Sequence, residues 1–91
     1  MILGKVIGTV VSTRKNDKLR GSKFSIVKPL DLHGPQQSLV AVDNIGAGIG
    51  EIVLMVTGSA ARIAVDNLDA PVDAAVIGIV DSEDYIDIAE V

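Results

Sequence analysis

The chain has 91 residues, no cysteine, no tryptophan and a formal net charge of -4 at pH 7. This length supports a single domain over residues 1–91, and the lack of cysteine excludes a disulfide framework and a thiolate metal site. Hydrophobic residues make up 48% of the chain, but Phe24 and Tyr85 are the only aromatic ones. The sequence therefore predicts an aliphatic core, and so small and apolar a chain is expected to self-associate.

Strands dominate the predicted elements, because thirteen valines and eleven isoleucines favour a pleated backbone. The predicted strands cover Met1–Thr13, Lys23–Lys28, Ser38–Asp43, Ile52–Thr57 and Ala75–Val80, with a short sixth over Tyr85–Ile88. One or two helical turns are predicted over residues 58–64, with Ser59 as the N-cap. Strands at these intervals with one small helix predict a mainly β fold, a closed five-stranded barrel of OB-like architecture.

The first predicted strand has an unusual pattern of small residues. Its even-numbered residues, from Ile2 to Val10, alternate with the odd-numbered ones, which places Gly4 and Gly8 on one face. Two glycines on one face predict sharp curvature or close backbone approach, as a small barrel needs.

Charge is distributed unevenly along the chain. Residues 1–30 carry seven of the eight lysines and arginines against one acid, whereas residues 31–91 carry Arg62 against eleven acids. This asymmetry is typical of a nucleic-acid face, or of a surface that meets its opposite on a neighbouring copy. A solvated basic loop with an acidic tail explains it equally well. No apolar stretch approaches the roughly 20 residues of a membrane-spanning helix, so no membrane partner is predicted.

A glycine-rich segment, Gly46-Ala47-Gly48-Ile49-Gly50, invites comparison with phosphate-binding loops. Its spacing is G-x-G-x-G, however, and a predicted strand follows it. The helix start that would hold a pyrophosphate is therefore missing. The segment is interpreted as a tight turn that packs against another chain.

Catalytic and metal-binding constellations are not found in the sequence. His33 is the only histidine and is interpreted as a surface loop residue. The C-terminal acids follow no EF-hand pattern, and Ser59 lacks the G-x-S-x-G context of a nucleophile. We therefore expect no enzyme activity, no cofactor and no metal site.

Single-stranded nucleic-acid binding is the alternative function that an OB-like barrel raises. It requires aromatic platforms and a basic groove, and two aromatic residues with a pI of about 4.6 supply neither well. Only the basic first third of the chain keeps this alternative open. We otherwise expect no nucleic-acid partner.

Four ordered motifs resemble the vertex proteins of bacterial microcompartments, the EutN/CcmL shell family. The motifs are residues 1–13 (MILGKVIGTVVST), 40–51 (VAVDNIGAGIGE), 58–62 (GSAAR) and 71–81 (PVDAAVIGIVD). In the third motif, Ala60 stands where the family usually has a second serine. The resemblance covers nearly the whole chain.

This resemblance implies a structural role in a shell in the bacterial cytoplasm. Members of the family form homopentameric rings at the fivefold corners of polyhedral shells, whose flat faces are tiled by hexameric proteins. The expected partners are therefore other copies of the chain and hexameric shell proteins. The charge asymmetry fits such contacts, because a head-to-tail ring joins two different patches of one subunit.

Site residues follow from the motifs as expectations. The candidates for subunit contacts or turns near the ring axis are Gly46, Ala47, Gly48, Gly50, Glu51, Ser59 and Arg62. The candidates for charge pairing are Lys5, Arg14, Asp43 and Asp73. Arg62 is expected to pair with Asp43, Glu51 or Asp73, within the subunit or across the interface. Substitution of Gly48 by valine is expected to disturb assembly through added bulk and lost positive-φ freedom.

Overall fold

The computed structural model describes residues 1–13 and 15–89. The predicted charge pairing of Arg14 lies outside the described residues. The strands are β1 (Ile2–Val10), β2 (Phe24–Pro29), β3 (Leu39–Val42), β4 (Ile52–Thr57) and β5 (Ala74–Val80). One helix, α1, spans Ser59–Ala64, and 3-10 turns cover Asp17–Leu19, Asp31–His33 and Glu83–Tyr85.

The five strands form a closed barrel in the order β1-β2-β3-β5-β4. Neighbouring strands are antiparallel except β3 and β5, which run parallel and pair through Val42 and Ala75. The prediction of a mainly β fold, a five-stranded barrel with one short helix, is confirmed.

Two aliphatic clusters hold the barrel together. The interior is filled by Val6, Val27, Ala41, Val53, Met55, Ala74 and Val76. The second cluster lies outside the barrel wall, where α1 and the loop after it cover β3 and the start of β5, and contains Val42, Ala61, Ala70, Val72 and Ala75. Both faces of β5 are therefore buried at its start, which explains its continuous apolar sequence.

A β-bulge between Val6 and Gly8 changes which residues of β1 point into the barrel. Before it, Val6 pairs with Val27 inside the barrel; after it, Gly8 pairs with Ile26, which lies on the outer face. Gly4 and Gly8 thus lie on opposite faces, and the prediction that they share one face is wrong. The extra residue of the bulge shifts the alternation by one position.

The predicted sixth strand over Tyr85–Ile88 is wrong. Residues 83–85 form a 3-10 turn, and residues 86–89 belong to no strand. A strand requires a hydrogen-bonded neighbour, and the five strands already close the barrel. Ile86 and Ile88 instead line a groove together with Leu30 and Ile52.

Candidate functional site

A buried carboxylate organises the glycine-rich loop, residues 44–50, which connects β3 to β4. Asp43 lies between the end of β3 and this loop, and it is only 2% exposed. Its Oδ1 accepts hydrogen bonds from the amides of Ile45 and Gly46, both at 2.9 Å, and its Oδ2 accepts one from the amide of Ala47 at 2.8 Å. The first half of the loop is therefore wrapped around one side chain.

Ser25 completes the environment of this carboxylate. It lies on β2, is itself buried, and its hydroxyl donates to Asp43 Oδ2 at 3.3 Å. A buried charge is tolerated when hydrogen bonds replace its hydration. Four donors do so here, and no buried side-chain nitrogen or oxygen among the described residues lacks a partner.

These hydrogen bonds leave little for a bound phosphate. Three consecutive amides of the loop already donate to Asp43, and the amide of Gly48 donates to Glu51 Oε1 at 2.6 Å. The segment that follows is the strand β4, without the free amides of a helix start. The geometry favours a structural turn over a nucleotide site.

Two of the loop glycines have backbone conformations that other residues rarely adopt. Gly46 has φ 96° and Gly50 has φ 92°, and a Cβ on either would meet nothing within 4 Å. Gly48 is not among the glycines with positive φ, so the expectation of positive-φ freedom there is wrong. A Cβ on Gly48 would instead lie 3.1 Å from Glu51 Oε1.

The second half of the loop is fastened to β1. The amide of Gly50 donates to the carbonyl of Val6 at 2.7 Å, and the amide of Val6 donates to the carbonyl of Glu51 at 2.9 Å. Fixed at both ends, the loop leaves two isoleucines in solvent: Ile45 is exposed and Ile49 is 67% exposed. It is an ordered loop with an apolar tip.

Helix α1 starts differently from the prediction. Gly58, with φ 64°, occupies the N-cap position, and no side chain caps the helix. Ser59 is the first helical residue and is exposed, so its predicted role as N-cap is wrong. The amide of Gly58 donates to the carbonyl of Asp73 at 2.8 Å, which ties the helix start to the segment before β5.

Arg62 lies on α1 but reaches none of the three acids expected to pair with it. Its Nη1 donates to the carbonyl of Val72 at 3.4 Å. Over residues 1–13 and 15–89, the structure forms one ion pair, between Arg20 and Asp17 at 2.9 Å, and both side chains are exposed. The intrachain pairing predicted for Arg62 is therefore wrong.

The other charge-pairing candidates take different positions. Asp43 uses its carboxylate on the loop amides and on Ser25, and it forms no ion pair with any residue that the structure describes. Asp73 and Lys5 are exposed, and Lys5 stands directly opposite Lys28 on β2. Two like charges are thus paired across the strands.

Two contacts of the structure were missed by the sequence reasoning. One is the role of Asp43, for which a signal existed, since an aspartate before Asn-x-Gly is typical of side-chain-capped turns. The other is His33, whose Nε2 accepts from the amide of Leu3 at 2.9 Å. Nothing in the sequence around His33 indicates this contact, because the two residues are 30 positions apart.

The mouth of the barrel beside the loop is a half-open cavity of about 460 Å³. Lys15, Lys23 and Phe24 contribute to its lining, and Phe24 also packs against the outer cluster. In the described part of the chain, no three histidine, aspartate or glutamate side chains are grouped as a metal would require. Nor does any helix there have the length and apolar character to cross a membrane.

A family model described as "Ethanolamine utilisation protein EutN/carboxysome" matches residues 1–81. The chain belongs to the EutN/CcmL family. Among relatives in this family, the bacterial microcompartment shell vertex protein GrpN of Rhodospirillum rubrum is 48% identical over 88 residues, which cover 94% of this chain and 99% of GrpN. The carboxysome shell vertex protein CcmL of Synechococcus elongatus is 50% identical over 84 residues, which cover 90% of this chain and 85% of CcmL.

Solved EutN/CcmL structures share the fold. The pentameric microcompartment shell protein GrpN from Rhodospirillum rubrum superimposes with a TM-score of 0.77 at 50% identity, covering 90% of this chain and 95% of GrpN. A pentameric shell protein of the RMM microcompartment gives a TM-score of 0.82 at 31% identity and covers both chains fully. The predicted family is confirmed, and it is one of structural shell proteins. This supports a vertex role over nucleic-acid binding.

Proposed function

We propose that this chain is a structural shell protein that assembles into a ring of five and occupies the fivefold corners of a microcompartment. The observation that carries the proposal is the glycine-rich loop, which is ordered within the single chain and exposes two isoleucines. The pentameric relative GrpN, at 50% identity, supports the same assembly. A layer of hexagonal units is flat, and a fivefold unit introduces the curvature that lets it close.

The loop forms one half of the ring contact. Isolated exposed apolar residues are ordinary, but Ile45 and Ile49 sit together on a loop whose backbone is fixed at both ends. Binding an ordered loop loses less conformational entropy than binding a mobile one. The open space around Gly46 and Gly50 lets a neighbouring subunit approach the backbone closely.

The remaining site residues belong to the same contact or its surroundings. Loop and helix residues at the interface are Gly46, Ala47, Gly48, Gly50, Glu51, Ser59 and Arg62. Lys5, Arg14 and Asp73 serve charge contacts with a neighbouring copy or a hexameric tile. Exposed pairs of this kind are individually worth about 0–1 kcal/mol, so they orient the subunits more than they strengthen the ring.

The ring acts without catalysis and lies in the shell of a microcompartment in the bacterial cytoplasm. Its partners are other copies of the chain and the hexameric shell proteins that surround each corner. The shell vertex proteins GrpN and CcmL among its relatives support this role. In the loop itself, the amides of residues 45–48 already donate to Asp43 and Glu51.

Sedimentation velocity on the purified chain and two variants tests the loop contact. Ile49→Glu puts a charge on the loop tip, whereas Leu68→Glu makes the same change at an exposed leucine outside the loop. We expect wild type and Leu68→Glu to sediment as rings and Ile49→Glu as single chains. Rings of unchanged stability in Ile49→Glu would contradict the role of the loop, and single chains in the wild type would contradict the ring.

A further inference from the structure

The outer face of β1, β2 and β3 carries a surface that the fold leaves uncovered. This surface, the basic strip, consists of Lys5, Ile7, Ile26, Lys28 and Val40. Lys5 pairs with Lys28, and Ile26 pairs with Val40, so the members are neighbours across the strands. Val40 is 49% exposed and Ile7 is similarly exposed, while both lysines are exposed.

Two features of the basic strip are unfavourable in the single chain. Like charges directly opposite each other are unfavourable in a sheet, yet neither Lys5 nor Lys28 has an ion-pair partner among the described residues. Gly8, which pairs with Ile26, has no side chain to cover it; a Cβ there would lie 3.3 Å from Ile26 Cδ1. The strip is apolar and cationic, so a partner that is both acidic and apolar would relieve both features.

The C-terminal segment has the complementary character. Residues 81–89, the acidic tail, contain four acids and lie beyond β5. Tyr85 is 73% exposed and Ile88 is also largely exposed, and Asp84 and Asp87 are exposed beside them. The match to the family model ends at residue 81, so nearly all of this segment lies beyond the part of the chain that the model matches.

We propose that the acidic tail of one copy binds the basic strip of the next copy in the ring. The proposal rests on the ring proposed above and names a second contact within it. It pairs the carboxylates of Asp84 and Asp87 with the ammonium groups of Lys5 and Lys28. Tyr85 and Ile88 pack against the exposed isoleucine and valine side chains of the strip. Because tail and strip are different patches, the contact is head-to-tail and suits a closed ring.

Contacts within one chain leave the strip free. Ile86 and Ile88 line a groove together with Leu30 and Ile52, so this part of the tail lies beside its own barrel. Neither Asp84 nor Asp87 forms an ion pair with a lysine among the residues that the structure describes. Ile86 is half-buried beside the groove, whereas Asp84, Tyr85, Asp87 and Ile88 remain exposed and available to a neighbour.

Chemical cross-linking between separately prepared chains tests the proposal, because the protein has no cysteine of its own. One preparation carries Val40→Cys and the other Ile88→Cys, and both are exposed positions. The two are mixed, allowed to exchange subunits and treated with a short bismaleimide. We expect a covalent dimer of the two chains. Val11→Cys, which is exposed but outside the strip, replaces Val40→Cys as the control and should yield at least about fivefold less dimer.

A charge substitution in the tail provides the second arm. Asp87→Lys, introduced into the Ile88→Cys chain, should lower the dimer yield about fivefold, because one attraction becomes a repulsion. The matched variant Asp69→Lys changes an exposed acid outside the tail and should leave the yield unchanged. Sedimentation of each mixture shows separately whether rings are present.

Each outcome has a definite meaning. Rings without a dimer between Val40→Cys and Ile88→Cys would overturn the tail contact and leave the ring intact. Equal yields of cross-linked dimer from Val40→Cys and Val11→Cys would overturn it as well. So would equal dimer yields from the Asp87→Lys and Asp69→Lys variants. Absence of rings from the wild-type chain would overturn both proposals together.

Discussion

Asp43 Oδ1 accepts the amide hydrogen of Gly46 at 2.9 Å, across the first turn of the glycine-rich loop. The same carboxylate holds two further amides and the Ser25 hydroxyl. One buried acid thereby defines the conformation of the surface that we assign to subunit contact. The stability of the single chain and the assembly of the ring are linked through this residue.

Replacement of Asp43 by alanine should destabilise the chain by about 3 kcal/mol. The change removes a charged acceptor and leaves loop amides without a partner. Asp43→Asn should cost about half as much, because one oxygen remains to accept from Ile45 and Gly46. Urea unfolding measures both, with Asp69→Ala as an exposed control that should stay within about 0.5 kcal/mol. Equal stability of Asp43→Ala and Asp69→Ala would contradict the loop's dependence on this carboxylate.

The loop glycines should differ in their tolerance of alanine. Gly50→Ala places a side chain at φ 92° and should cost roughly 1–2 kcal/mol. Gly48→Ala should cost less than about 0.5 kcal/mol, since its Cβ meets only the movable carboxylate of Glu51. Thermal unfolding of single chains compares them directly, for example in the background of Ile49→Glu. The reverse order of stability would disprove this assignment of conformational strain.

Gly4 allows two strands to approach closely inside the barrel. A Cβ at this position would clash with Val27 Cγ1 and lie 3.1 Å from the carbonyl oxygen of Lys28. Gly4→Ala should therefore cost about 2 kcal/mol through overpacking. Gly8→Ala, where the Cβ meets only the flexible end of Ile26, is the matched control and should cost less than about 1 kcal/mol.

A double-mutant cycle isolates that clash. Val27→Ala alone should destabilise by about 2 kcal/mol through lost packing. Combined with Gly4→Ala, it removes the atom in conflict, so the double variant should be about 1 kcal/mol more stable than the sum of the single changes predicts. Strict additivity would show that Val27 is not what excludes a side chain at position 4.

His33 fastens the 3-10 turn of residues 31–33 to the start of β1 through the amide of Leu3. His33→Ala should cost about 1 kcal/mol and speed hydrogen exchange of the Leu3 amide several-fold. Gln36→Ala removes a neighbouring exposed hydrogen bond to the His33 carbonyl and should leave the exchange of Leu3 unchanged. If exchange at Leu3 were equally fast in wild type and His33→Ala, the hydrogen bond would have no role in solution.

The barrel could be predicted from the sequence because its signals are local. Short runs of β-branched residues separated by turn residues are visible in the chain, as over Ile52–Thr57, where prediction and structure coincide. Which residues of β1 point into the barrel could not be predicted beyond the bulge, because a bulge arises only when two strands pair. The alternation of residues along a single strand does not reveal the extra residue between Val6 and Gly8.

The turn between β3 and β4 was predicted from the sequence, but its internal contacts were not. The glycine spacing indicated the loop, whereas the hydrogen bonds that shape it depend on the position of Asp43 directly after β3 and on Ser25, 18 residues away. In the acidic tail, by contrast, the sequence predicted a strand that the structure does not form. Its alternating residues have strand character, yet the closed barrel provides no neighbour for them in the single chain. Tertiary context decided both cases.

Native mass spectrometry of the purified wild-type chain, across a range of concentrations, tests the central claim most directly. A ring of five predicts a dominant species with five times the 9.5-kDa mass of the chain. A single-stranded oligonucleotide added at physiological salt should leave that mass unchanged. A dominant 9.5-kDa species at the highest concentration, or one that binds the oligonucleotide, would contradict the assignment of this protein to the corner of a shell.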